Sequence, residues 1–289
     1  MGNMNKMEKT DKIKIGKFTI YGLTDGTFLL DGGAMFGVVP KVLWERKMPA
    51  DSRNRILLSL NSILIDTGNE RILVETGIGN KLTEKFIDIY GVNREPDLIK
   101  SINKCGFKAE DINFVINTHL HFDHCGGNTF KDKDEIIKPT FPNAKYIIQR
   151  GEWEHALSPN ERDRASYLKE NFLPLKEFNQ LELVDGEKEI VPGVKVKIVS
   201  GHTECHQCVF VTSDKDTLVF LGDLIPTTSH INLPYIMSYD LYPVETLENK
   251  KKILKKASEE GWILSFNHDP KYFFGRVEFE EEKFKFTPL

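Results

Sequence analysis

Within Thr118-His119-Leu120-His121-Phe122-Asp123-His124-Cys125-Gly126-Gly127, three imidazoles and one carboxylate occupy six residues, directly after the apolar run Ile112 to Ile116. Imidazole nitrogen and carboxylate oxygen are the usual ligands of zinc and its first-row neighbours, so the stretch reads as a metal site at a strand end. Alternation along an extended turn can aim His119 and His121 at one ion. Asp123 and His124 then face elsewhere, toward a second ion.

The pattern His-x-His-x-Asp-His followed by a glycine pair resembles the signature of the metallo-β-lactamase superfamily of hydrolases. That resemblance calls for a distant histidine, an aspartate and a final histidine at strand ends. The chain offers Ser200-Gly201-His202-Thr203, Leu221-Gly222-Asp223 and Asn267-His268-Asp269, so five of its eight histidines sit in motifs of this kind. By resemblance, His119, His121 and His202 hold one ion, Asp123, His124 and His268 the other, and Asp223 bridges them. The implied fold is α+β, a four-layer αββα sandwich, and the implied cofactor is a pair of divalent ions, zinc first and iron or manganese next.

Composition fits an ordinary soluble globule: 289 residues, 40% apolar and 28% charged, with a formal charge of −4 that offers no general attraction to a phosphate backbone. The expected partner is a small-molecule substrate, with neither nucleic acid nor membrane, and a homodimer is left open. The span from His119 to His268 favours one domain over residues 1–289, with 1–14 a polar, flexible lead-in lacking the apolar core of a signal peptide. Four irregularly spaced cysteines argue against a disulfide framework, and cytoplasmic residence is the expectation.

Several elements must position these residues. Ile13 to Leu23 alternates as a first strand, Leu29 to Gly33 reads as a turn, and a Met-, Phe- and Val-rich segment holding Met35, Phe36 and Trp44 follows, either as a border of the site or as core. Ser59 to Asp66 and Arg71 to Glu75 flank the hairpin signature Thr67-Gly68-Asn69-Glu70. Helical spacing covers Lys81 to Tyr90 and Glu95 to Lys104, then Glu152 to Ala156, Glu161 to Phe172 and Leu247 to Glu260. In the last of these the lysines at 250, 251, 252, 255 and 256 read as a solvated face. Lys131 to Lys138 reads as a charged surface insertion and Val277 to Phe286 as one final strand.

Glu75 stands where the superfamily usually has an aspartate supporting the metal loop, which suggests a role behind the ligands. Cys205-His206-Gln207-Cys208 has no second pair to complete a zinc site and reads as packing beside His202. The long connection Leu224 to Pro243 is expected to cover the site, with His230 and Tyr235 reaching substrate. Gly222-Asp223-Leu224-Ile225, Tyr239-Asp240, Glu260-Gly261-Trp262 and Phe274-Gly275-Arg276-Val277 look like the methyl parathion hydrolase branch of the superfamily. So do Phe141-Pro142-Asn143-Ala144 and Glu152-Trp153. Pro226 replaces the tyrosine of the acyl-homoserine lactonase branch.

Two ions roughly 3.5–4 Å apart would acidify a water between them and polarise the oxygen of a carbonyl or phosphoryl group. Asp223 would hold the pair together, and Asp123 would pass a proton to the leaving group, with His230 or a loop tyrosine as its rival. The expected activity is hydrolysis of a small ester, lactone or organophosphate triester. A mononuclear-iron persulfide dioxygenase or a thioesterase of the same superfamily is the alternative, and a metal-stabilised scaffold without activity ranks last.

Overall fold

The computed structural model describes residues 11–289. Strands β1 (Lys12–Ile15), β2 (Phe18–Asp31), β3 (Arg55–Asp66), β4 (Arg71–Val74) and β5 (Phe114–Ile116) stand side by side in chain order. A small hairpin, β6 (Thr129–Lys131) and β7 (Ile137–Pro139), lies apart from them, and β8 (Lys145–Gln149) and β9 (Leu181–Val184) complete the first seven-stranded sheet. The second sheet also runs in chain order: β10 (Lys188–Val191), β11 (Val194–Ile198), β12 (Gln207–Ser213), β13 (Asp216–Phe220), β14 (Ile263–Ser265), β15 (Phe274–Glu280) and β16 (Lys283–Pro288). Helices α1 (Gly32–Phe36), α2 (Lys41–Trp44), α3 (Glu84–Tyr90), α4 (Leu98–Lys104), α5 (Phe122–Cys125), α6 (Arg150–Leu157), α7 (Leu173–Glu177) and α8 (Pro243–Glu260) connect and cover the sheets.

Strand periodicity explains the layers, because successive side chains point to opposite faces. Ile63, Ile65, Ile72, Val74, Ile116 and Ile147 meet Val194, Val196, Val209, Val211, Leu218 and Phe220 between the sheets. Their immediate neighbours Leu64, Leu73, Val115, Tyr146 and Ile148 point outward under α4 and α6, against Leu98, Ile102, Trp153 and Ala156. On the other side Cys208, Val219, Leu221 and Leu264 pack under Ile253, Leu254 and Ala257 of α8. These central strands are therefore apolar on both faces, and the result is the expected αββα sandwich.

Five local expectations are corrected. Ile13 to Leu23 is two antiparallel strands joined at Gly16 and Lys17, not one. Most of the proposed lead-in, residues 1–10, lies outside the described residues, and β1 begins at Lys12. At Leu29 to Gly33, β2 runs on to Asp31, whose carboxylate accepts the Ala34 N–H and caps α1. Val277 to Phe286 is a hairpin turning at Glu281 and Glu282, both with positive φ, and the cross-strand pairs Val277–Phe286 and Phe279–Phe284 keep the alternation unbroken through the turn. Glu161 to Phe172 forms two short 3-10 turns in place of a helix, because Arg162, Asp163 and Tyr167 are each drawn to partners on other elements. A sixth concerns charge: Lys250 does not belong to the solvated face of α8. It is fully buried and donates to the carbonyls of Asn232 and Tyr235 at 2.7 and 2.9 Å, and burial pulls its ammonium down to about 7.

Candidate metal centre

The parallel pairs β4–β5, β5–β8 and β13–β14 end at one edge of the sandwich, where their following loops gather. His119, His121, Asp123 and His124 follow β5, Asp223 follows β13, His268 follows β14, and His202 lies in the connection from β11 to β12. Residues more than 140 positions apart thus converge. His121 Nδ1 is 3.1 Å from His202 Nε2, and His124 Nε2 is 3.2 Å from His268 Nε2. Two nitrogens each about 2.0–2.1 Å from a shared tetrahedral ion would lie roughly 3.3–3.4 Å apart, so both pairs have the separation of co-ligands.

Asp223 stands between the two clusters and turns one oxygen to each. Oδ2 is 3.4 Å from His202 Nε2, while Oδ1 is 3.4 Å from His124 Nε2 and 3.2 Å from His268 Nε2. Asp123 Oδ2 lies 3.5 Å from His268 Nε2, on the second cluster only. The sets His119/His121/His202 and Asp123/His124/His268 can each close around an ion, with His119, His124 and Asp223 also mutually in reach.

Three observations fit divalent ions here. His119 Nε2 and Asp223 Oδ1 are buried polar atoms with no hydrogen-bond partner in the protein. Burial holds the imidazoles of His119 and His121 well below their usual range and hence neutral, the form that ligates metal. Asp123, Asp223, Glu75, Glu152 and Asp240 are all buried, and among the described residues none forms an ion pair with lysine or arginine. Cations must offset such an accumulation of negative charge.

Behind the ligands, three of the remaining ring nitrogens are held. Thr118 Oγ1 meets His119 Nδ1 at 3.0 Å, Asp240 Oδ1 meets His202 Nδ1 at 2.9 Å, and the Ser59 carbonyl meets His268 Nδ1 at 2.8 Å. Glu75 fills the expected supporting place: its backbone is left-handed (φ 66°), Oε1 accepts the Thr118 N–H at 2.7 Å, and Oε2 faces His124 Nδ1 at 3.6 Å. Gly222 also has positive φ, and a Cβ there would lie 2.5 Å from His206 Nε2 and 2.9 Å from Thr118 Oγ1.

His206 carried no role in the sequence reading. Its Nε2 accepts the Asp223 N–H at 3.1 Å, and its Nδ1 is 3.3 Å from the Val199 carbonyl, so a neutral ring fixes the Asp223 backbone. Burial drives its pKa down to about 3. No local signal marked it, because its partner is 17 positions away. Cys208 packs in the core as expected, while Cys205 is only half-buried; both thiols are free, and burial pushes Cys205 up to about 11.

A cavity of about 300 Å³ opens over this floor. His121, Asp123, His202, Asp223 and His268 form its base, and Leu30, Met35, Tyr90, Phe122, Met237 and Tyr239 form most of its wall, with Arg162, Asp163 and Ser166 opposite. The connection Leu224 to Pro243 does contribute, but not through the residues expected. His230 is buried under Met35: Nε2 is 2.8 Å from the Met35 carbonyl, Nδ1 2.7 Å from Thr227 Oγ1, and the ring stacks on Phe36 at 4.4 Å. Tyr235 meets the same Phe36 edge-on at 5.8 Å, and neither residue lines the cavity. Both are anchors of the wall, while Met237 and Tyr239 face the site.

The model of the metallo-beta-lactamase superfamily matches residues 56–268, and this chain belongs to that superfamily. An N-acyl homoserine lactonase of Bacillus cereus is 32% identical over 217 residues, 72% of this chain and 76% of the relative. The solved structure of a probable metal-dependent hydrolase from Staphylococcus aureus superposes with a TM-score of 0.89 at 33% identity, covering 96% of this chain and 99% of that one. AidC, a dizinc quorum-quenching lactonase, shares the fold with a TM-score of 0.80 at 23% identity over 96% of each chain. The protein is a metal-dependent hydrolase, and its donor set is that of a two-ion site.

Proposed function

We propose that this hydrolase opens a small lactone, N-acyl homoserine lactones being the first class to test, with simple esters and organophosphate triesters as chemically related substrates. The observation that carries the reading is Asp223, whose two oxygens face two separate imidazole clusters at the base of a largely apolar cavity. The naming of the Bacillus relative as a lactonase supports the choice of substrate.

His119, His121 and His202 would hold one ion, Asp123, His124 and His268 the other, with Asp223 shared. Such ions supply Lewis acidity toward the scissile carbonyl or phosphoryl oxygen and lower the pKa of a water nucleophile. Asp123, at the cavity base, is assigned to take the nucleophile's proton and return it to the leaving oxygen. The wall excludes water and seats an apolar substrate body. Pro226, in the place of the lactonase tyrosine, gives its carbonyl to the His268 N–H at 2.9 Å. The phenols available instead are Tyr90 and Tyr239, both held protonated by burial and so able to donate to a substrate oxygen.

The test compares zinc-replete protein on an N-hexanoyl homoserine lactone, a plain γ-lactone, an aryl ester, a phosphotriester and a phosphodiester. The expected order places a lactone first and the phosphodiester last. Faster turnover of the phosphodiester, or oxygen-consuming oxidation of a thiol persulfide, would overturn the assignment.

A further inference from the structure

The imidazoles His119, His121 and His202 come from two loops attached to different sheets. At their bases Gln207 ties them, its N–H donating to the Thr118 carbonyl at 2.9 Å and its Nε2 to the Asn117 carbonyl at 2.8 Å. Beside the ligands themselves, Glu152 in the first turn of α6 hydrogen-bonds to both loops. Its Oε1 accepts the N–H of Leu120, between His119 and His121, at 2.9 Å, and its Oε2 accepts the hydroxyl of Thr203, next to His202, at 2.7 Å. Tyr167 donates its hydroxyl to Oε1 at 3.1 Å and sets its ring edge against His121, centroids 4.8 Å apart.

This carboxylate is 1% exposed and is met by three neutral donors. Burying it without a cation is costly, and an apolar residue would anchor α6 at lower cost. The contrast is Asp25, equally buried but paired with Arg94 at 2.8 Å. Glu152 spans the two loops with both oxygens committed, one to each side.

We propose that Glu152 is a positioning residue that sets the separation between the His119/His121 loop and the His202 loop, and with it the affinity of the ion those three imidazoles share. The inference rests on the two-ion reading above. It assigns Glu152 to one ion and not to the other, since Asp123, His124 and His268 receive nothing from it. Glu152→Gln keeps the geometry: the amide oxygen can accept from Leu120 and Tyr167, and the amide nitrogen can donate to Thr203 Oγ1. Glu152→Ala removes all three bonds, and Thr203→Val cuts only the tie to the His202 loop.

The experiment measures Zn²⁺ per chain and affinity by chelator competition on wild type and these variants, with the melting temperature of each metal-free form measured alongside. Glu152→Ala should weaken one of the two ions by about 10- to 100-fold and leave the other unchanged, with Thr203→Val in the same direction and Glu152→Gln within about threefold of wild type. In a His202→Ala background, adding Glu152→Ala should leave the remaining ion's affinity unchanged. Equal weakening of both ions, or a lower metal-free melting temperature with both affinities intact, overturns the proposal. If Glu152→Ala does not fold, Thr203→Val and Glu152→Gln decide the matter by the same criteria. Wild-type protein that binds no zinc would sink the two-ion reading itself, which is a separate failure.

Discussion

The candidate ligands on the cavity floor project from strand ends and short loops, and three of the five imidazoles are held from behind: His119 by Thr118, His202 by Asp240 and His268 by the Ser59 carbonyl. The wall is assembled differently. Met35, Tyr90, Arg162, Met237 and Tyr239 come from four separated segments, and the one that holds Met237 and Tyr239 is tied by long basic side chains donating to its backbone carbonyls. Arg162 donates to the Ser238 carbonyl on the cavity side, while Lys250 donates to the carbonyls of Asn232 and Tyr235 from beneath. The floor carries charge, so its geometry must be fixed to a fraction of an ångström. The wall carries shape and tolerates exchange of one apolar group for another. Reaction chemistry and substrate choice are therefore separable in this molecule, and substitutions in the two regions should differ in kind.

The strongest break of that contrast lies in the floor. Asp223→Ala should reduce kcat/KM on the best lactone by about 1,000-fold or more and take the zinc content below two per chain, as read by elemental analysis beside steady-state kinetics. Two ions retained with near-normal turnover would show that Asp223 does not bridge. In the wall, Met237→Ala should leave zinc content unchanged and shift the ratio of kcat/KM between a long-chain and a short-chain acyl lactone by about 10-fold, since pocket methylenes discriminate by roughly 1–3 kcal/mol. A uniform loss on both substrates would place Met237 with the floor.

His230 supplies the smallest kinetic effect. His230→Ala should lower stability by about 2–4 kcal/mol, through lost stacking on Phe36 and an unpaired Met35 carbonyl, and change kcat/KM less than about threefold. Its pH dependence has a definite sign. Burial brings the His230 pKa down to about 3 from an ordinary value near 6.5, so between those values the unfolded chain binds more protons than the folded one. Its contribution to stability is complete above about pH 6.5 and is lost as the pH falls toward 3. Denaturant titrations of metal-free protein at pH 7 and pH 4.5 should show a smaller drop for His230→Ala than for wild type, and equal drops would refute the role.

The cluster His119, His121, Asp123 and His124 was legible in the sequence because its spacing is local and follows an apolar strand, whereas His202, Asp223 and His268 were reached through the resemblance to the metallo-β-lactamase superfamily. The layered fold was legible for a related reason: alternation in Ile63-Leu64-Ile65 or Ile72-Leu73-Val74 records which side chain faces which layer. Glu75 was reachable too, standing at the end of its own strand two residues before a glycine.

What only the tertiary structure decided are the contacts between distant segments. His230 and Tyr235 had the residue types of substrate-binding groups, but the direction of a side chain on an irregular connection is set by what packs beneath it, here Phe36. Lys250 had the spacing of a surface lysine, and only the path of the Asn232 to Tyr235 backbone over α8 gave its ammonium three carbonyls to bind. Glu152 stood in a Glu-Trp pair that carried only a family resemblance, and His206 between two cysteines read as packing, so neither had a stated role at the site. Their importance comes from partners 32, 51 and 17 positions away, which no local pattern encodes. The sequence thus determined the first four candidate groups and the strands that deliver them through local spacing, and the other three through family resemblance. Their spacing around the ions, and the wall that selects a substrate, depend on hydrogen bonds and packing that exist only once the two sheets have closed on each other.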